Sequence, residues 1–178
     1  TSLMPTIGVK DEALYMSTGD AVEAFRIDAN GHVTMPKQPA FAAHSAAMSN
    51  LAINTTHDVQ FSTETIDNNA DFNTSNYTFT APVSGKYHIS VMLRLDNADL
   101  DNSYFYMILN TSNRSYESIT GQNGFDANVD YQMFHINVLA DMDASDTAKV
   151  QFHVPNLGAA ESDITGSQKA YFSGFLVA

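Results

Sequence analysis

The residues best suited to chemistry in this chain are carboxylates crowded into turn-like stretches. Asp96-Asn97-Ala98-Asp99-Leu100-Asp101-Asn102 puts three acids and two amides into seven residues. Clustered oxygen ligands are what a hard cation such as calcium takes, which makes Asp96, Asp99 and Asp101 candidate calcium ligands. The spacing departs from an EF-hand loop, because Ala98 stands where a ligand belongs and no Glu closes the run. Solvated loop acids are the competing reading. The six histidines, His32, His44, His57, His88, His135 and His153, show no His-Glu-x-x-His spacing. A threefold axis could gather one of them with its copies around a transition metal; surface histidines are the plainer account. There is no Gly-x-Ser-x-Gly elbow, P-loop, Gly-x-Gly-x-x-Gly turn or cysteine nucleophile. The expectation is therefore a binding or structural protein and not an enzyme.

What positions such residues is a scaffold of strands. Of the 20 acidic residues 15 are Asp, and Asn also occurs 15 times. Both types favour turns and disfavour helix interiors, so the bias points to loops between strands. A length of 178 residues with 44% hydrophobic content suits one full core and a short appendage. The net charge of −12 repels phosphate backbones, which excludes nucleic acid as an expected partner. No apolar run is long enough to span a bilayer as a helix, so membrane insertion is not expected. Cysteine is absent, and no disulfide can staple the fold.

The most specific spacing runs from Phe61 to Val91. Its landmarks are Phe61, Asp67, Phe72, Phe79, Gly85, Tyr87, Ile89 and Val91. Asn76 to Thr80 reads as a strand, Pro82 stops the ladder and Gly85 permits a tight corner. A long strand follows from Lys86 to Leu95, with Tyr87, Ile89, Val91, Leu93 and Leu95 on one parity. Such alternation buries one face.

This spacing resembles the signature of the complement C1q globular head, within the tumour necrosis factor-like jelly rolls. Ile89 and Val91 stand where that family carries aromatics, which keeps the buried parity at smaller size. Tyr171-Phe172-Ser173-Gly174-Phe175-Leu176 is similar to the family's closing strand. The resemblance covers roughly residues 39–178 and implies an all-β, ten-stranded, two-sheet jelly-roll sandwich that forms a homotrimer. Calcium binding is also common among such heads, which adds to the reading of Asp96, Asp99 and Asp101.

Residues 1–38 have another texture. Ala13 to Met16 and Ala24 to Asp28 are short strand-like runs, and Asp28-Ala29-Asn30-Gly31 is a strong turn before His32 to Met35. Strands this short need neighbours from another chain or from the main domain. The run around Phe25, Asn30-Gly31, Val33 and Pro36 looks like the β segments that precede C-terminal heads in bacteriophage tail fibres. This gives a division into a 1–38 shaft connection and a 39–178 head. Within Pro39 to Ser49 a strand is preferred over a helix, since no cap or long period supports one.

From Tyr104 to Leu109 both parities are apolar. A strand buried on both faces needs a second cover, and a subunit contact is the natural one, so Tyr104, Tyr106 and Ile108 are the expected trimer interface. Strands at Arg114 to Thr120, Tyr131 to Leu139, Lys149 to Val154 and Lys169 to Val177 complete the set. Because successive strands of a jelly roll run in opposite directions, its loops alternate between two ends. The end away from the termini then carries Asp96, Asp99, Asp101, Asp126, Asp130, Glu161 and Asp163 as candidate receptor or glycan contacts. The functional expectation is the trimeric head of a virion fibre or surface protein. Alternatives are a purely structural trimerisation cap and a secreted complement-like binding protein.

Overall fold

The computed structural model describes residues 5–11, 13–18, 22–155 and 161–177. Part of the stretch between the expected Ala13 to Met16 and Ala24 to Asp28 runs, at 19–21, and residues 156–160 after the expected Lys149 to Val154 strand lie outside these residues. The chain divides into two compact units, 1–39 and 40–178.

The first unit is a four-stranded antiparallel meander of β1 (Thr6–Lys10), β2 (Ala13–Ser17), β3 (Glu23–Ile27) and β4 (Val33–Thr34), paired in that order. The Asp28 turn forms as expected. Asp28 Oδ1 accepts from the backbone amides of Asn30 and His32 at 2.9 Å, and Gly31 supplies a φ of +85°.

The second unit contains β5 (Ala40–Ser45), β6 (Thr55–Asp58), β7 (Thr63–Asp67), β8 (Phe72–Asn73), β9 (Thr78–Thr80), β10 (Gly85–Ala98), β11 (Tyr104–Thr111), β12 (Ser115–Gly121), β13 (Val129–Met142), β14 (Thr147–Val154), β15 (Asp163–Ile164) and β16 (Ser167–Leu176). One sheet runs β13-β10-β16-β5-β7, with β15 on β10; the other runs β12-β11-β14-β9-β8, with β6 on β14. Every pairing is antiparallel. Ten strands thus lie on the two main paths, as expected of a two-sheet jelly roll, and two short strands are added.

The apolar landmarks of the Phe61–Val91 spacing and Asp67 have physical roles, whereas Gly85 is simply the first residue of β10, without a left-handed φ. Phe61, Phe79, Tyr87, Ile89 and Val91 are wholly buried between the sheets. Asp67 accepts from the amides of Asp71 and Phe72 at 2.9 and 3.0 Å, which folds the 67–72 turn and aims Phe72 inward. The Tyr87 hydroxyl donates to the Val83 carbonyl at 2.8 Å, tying the long strand back to its own corner. Phe41 stacks on Phe72 and Phe79, with centroids at 5.2 and 4.4 Å, and meets Phe172 edge-on at 4.8 Å. Gly174 lets Phe41 lie flat on β16, for a β-carbon there would come within 2.8 Å of its ring.

Candidate binding surface

The registers fix the two ends of the sandwich. Ala40 pairs with Phe175, and the Val177 amide donates to the Lys86 carbonyl, so both ends of the 40–178 unit lie at one end. The loops after β10 and β12 and the end of β14 lie at the other.

The expected acidic residues do not share one environment. Asp101, Asp126, Asp130 and Glu161 are exposed. Asp99 is 5% exposed and its Oδ1 accepts from the Asp101 amide at 2.9 Å, so it shapes the loop from within. Asp163 is half-buried and accepts from the Asn50 amide at 2.7 Å and from Asn97 Nδ2 at 3.1 Å, which ties the end of β10 to β15. Asp96 lies within β10, opposite Tyr131, where Arg94 grips it through Nε–Oδ1 at 2.6 Å and Nη2–Oδ2 at 2.7 Å. Burial pushes the Asp96 carboxyl upward. The Arg94 and Thr165 hydrogen bonds and the charges of Arg94 and Lys169 outweigh it and hold the group below the usual carboxylate range. Arg94 also lies 4.7 Å from the Tyr131 ring centroid.

Among the described residues no group of three or more His, Asp or Glu side chains comes together in a way that could hold a metal ion. The proposed set is split, with Asp96 committed to Arg94, Asp99 turned onto its own loop and Asp101 open to water. These three carboxylates therefore do not converge as one donor set among the described residues. Melting in millimolar calcium and in chelator is expected to give the same midpoint, and a rise with calcium would contradict this account.

Tyr104, Tyr106 and Ile108 lie on the outer face of the β12-β11-β14 sheet, while Phe105, Met107 and Leu109 on the other parity fill the core. Part of the outer cover comes from the chain itself. Tyr106 stacks on His153 at 4.7 Å, and Tyr104 stacks on Tyr106 at 5.9 Å. His153 Nδ1 and Thr56 Oγ1 are 2.9 Å apart. Burial, helped by the nearby His57, pushes the His153 pKa down.

Sequence reasoning missed a larger apolar face on the other sheet. The outward parity of β13 exposes Tyr131 at 66%, Met133 at 42% and Leu139 at 58%, and β16 adds Phe175 at 49%. His88 lies between Leu139 and Phe175 in one cross-strand row. The signal was present in Tyr131, Met133 and Leu139 among the odd positions, but His135 and Asn137 interrupt it and the apolar Phe134, Ile136 and Val138 on the other parity mask it. Phe125, 43% exposed in the 122–128 loop, was also missed; an aromatic flanked by Gly124 and Asp126 has no strand parity to bury it.

No protein-family description and no curated protein matches the chain. Solved structures do. The globular domain of zebrafish complement 1qA protein is 17% identical with a TM-score of 0.60, covering 80% of this chain and 98% of that one. Murine APRIL at pH 5.0 is 9% identical with a TM-score of 0.56, covering 79% and 100%. Eiger TNF from S. frugiperda is 12% identical with a TM-score of 0.55, covering 79% and 94%. At these identities the likeness shows the fold, a jelly-roll sandwich of the complement C1q and tumour necrosis factor kind.

Proposed function

We propose that residues 40–178 form the head of a homotrimeric binding protein, which holds its copies together through one sheet face and presents its distal loops to a receptor or glycan. The observation that carries this reading is a division of labour in the surface. The outer face of β13-β10-β16-β5-β7 is rich in uncovered apolar side chains, which suits a subunit contact. The loops bearing Asp101, Phe125 and Asp126, with Asp130 at the start of β13, lie at the end away from Ala40 and Val177, free to meet a partner. Three weak sites on one axis gain avidity without any single deep pocket. The fold likeness supports this reading in general terms. The resemblance of residues 25–36 to fibre segments makes a virion fibre or cell-surface structure the setting we favour for the head.

The labelled full chain, applied to a glycan array and to cultured host cells, tests the binding role. Replacing Phe125 by Ser together with Asp126→Asn and Asp130→Asn is expected to lower binding at least about tenfold while leaving the oligomer intact. Binding unchanged by these substitutions would favour a purely structural cap.

A further inference from the structure

The first unit has two unlike faces. Cross-strand partners point to the same side of a sheet. Ile7, Met16 and Phe25 form one such row, and Val9, Leu14, Ile27 and Val33 form the next. On the opposite side the rows read Thr6-Ser17 and Gly8-Tyr15-Arg26-Thr34. That side is satisfied within the unit: the Thr6 and Ser17 hydroxyls are 2.7 Å apart, the Tyr15 ring packs over Gly8, and Arg26 pairs with Glu23 at 3.5 Å. The apolar rows are left open, with Ile7 74% exposed, Val9 76% and Val33 55%.

Among the described residues of its own unit this apolar side has no second layer, and such a sheet is half of a core. We infer that this face packs against the same face of the other copies, so that β1–β4 of the copies assemble into a shared β core; the inference rests on the homotrimer reading. Charge supports this occupant. Each chain carries −12, so copies repel over most of their surface, and they can approach where no ionisable group stands. The two rows contain none. Size points to the mode of assembly. Three five-residue strands and one of two residues, about 4.8 Å apart with about 3.3 Å per residue, give a face of roughly 270 Å². A free-standing contact needs about 800 Å² per partner. The segment is therefore too small to pair from dilute solution and associates only when the heads already hold the copies at high effective concentration.

The chain has no cysteine, so one introduced thiol reports one position. Full-length Val9→Cys and Val33→Cys probe the apolar face, and Thr34→Cys the opposite one. Under mild oxidation both face variants are expected to form inter-chain disulfides at least about tenfold faster than Thr34→Cys, at a rate that dilution does not change. Both positions are exposed, so neither substitution threatens the fold. Light scattering on the same samples separates the failures. A trimer whose face thiols react no faster than Thr34→Cys overturns the shared core and spares the head reading; a monomer overturns both.

Discussion

Replacing Phe172 by alanine is expected to cost about 3–5 kcal/mol of folding stability, the largest loss for a single side chain in the head. Phe172 is wholly buried on β16 and contacts three other rings, Phe41 edge-on at 4.8 Å, Phe61 at 5.3 Å and Phe72 at 5.9 Å. Those rings come from β5, from the segment after β6 and from β8, so the cavity would open where both sheets are pinned together. Close packing leaves little freedom for neighbours to collapse into it. For a chain of this length such a loss lowers the melting midpoint by roughly 10 °C or more, compared at equal protein concentration. Phe172→Leu keeps most of the volume and is expected to cost far less. An alanine variant that melts with the parent would mean that the aromatic cluster is not packed as described.

Three residues along the same strand, Phe175 points the other way, and its substitution is expected to act on assembly instead of folding. The double variant Leu139→Asp, Phe175→Asp places two carboxylates beside His88 on the face assigned to the subunit contact. A buried apolar side chain contributes about 1.5–3 kcal/mol. Burying an unpaired carboxylate adds a penalty of several kcal/mol. With three copies of each change per trimer, dissociation to monomers at micromolar concentration is the expected result, with the circular dichroism of the strands retained. Ile108→Asp, on the outer face of the other sheet, is the counter-test. It is expected to leave the trimer intact, whereas dissociation by Ile108→Asp and not by the double variant would move the seam to Tyr104, Tyr106 and Ile108.

The frame of the head was legible because its main strands obey simple parity. Tyr87, Ile89, Val91, Leu93 and Leu95 alternate cleanly and are all wholly buried. The spacing around Asp67 marks a turn that its carboxylate ties through the amides of Asp71 and Phe72. The corner expected at Gly85 needs no glycine: Gly85 already lies in β10, paired with Met142, and Gly31 is the glycine that takes a positive φ among the described residues. Short strands escaped notice because they are polar. Thr55–Asp58 and Thr63–Asp67 pair through their backbones and bury little, so no hydrophobic pattern announces them. The double-parity run at Tyr104 to Leu109 signalled extra cover, but some of that cover is a ring stack supplied by His153 of a strand distant in sequence. The acids were harder still. Asp96, Asp99 and Asp101 look alike in sequence, yet Arg94 claims the first, its own loop encloses the second and water faces the third. Which partner takes a carboxylate is decided by cross-strand register, and that is set by the whole sheet.

The mass of the unmodified protein in solution, measured by light scattering across a dilution series, tests the central claim most directly. Three copies of a 19.4 kDa chain give about 58 kDa, which is the value expected at micromolar concentration for a closed cyclic trimer. A constant 19.4 kDa at every concentration would contradict the account, because the apolar face of β13-β10-β16-β5-β7 would then have no copy to cover it.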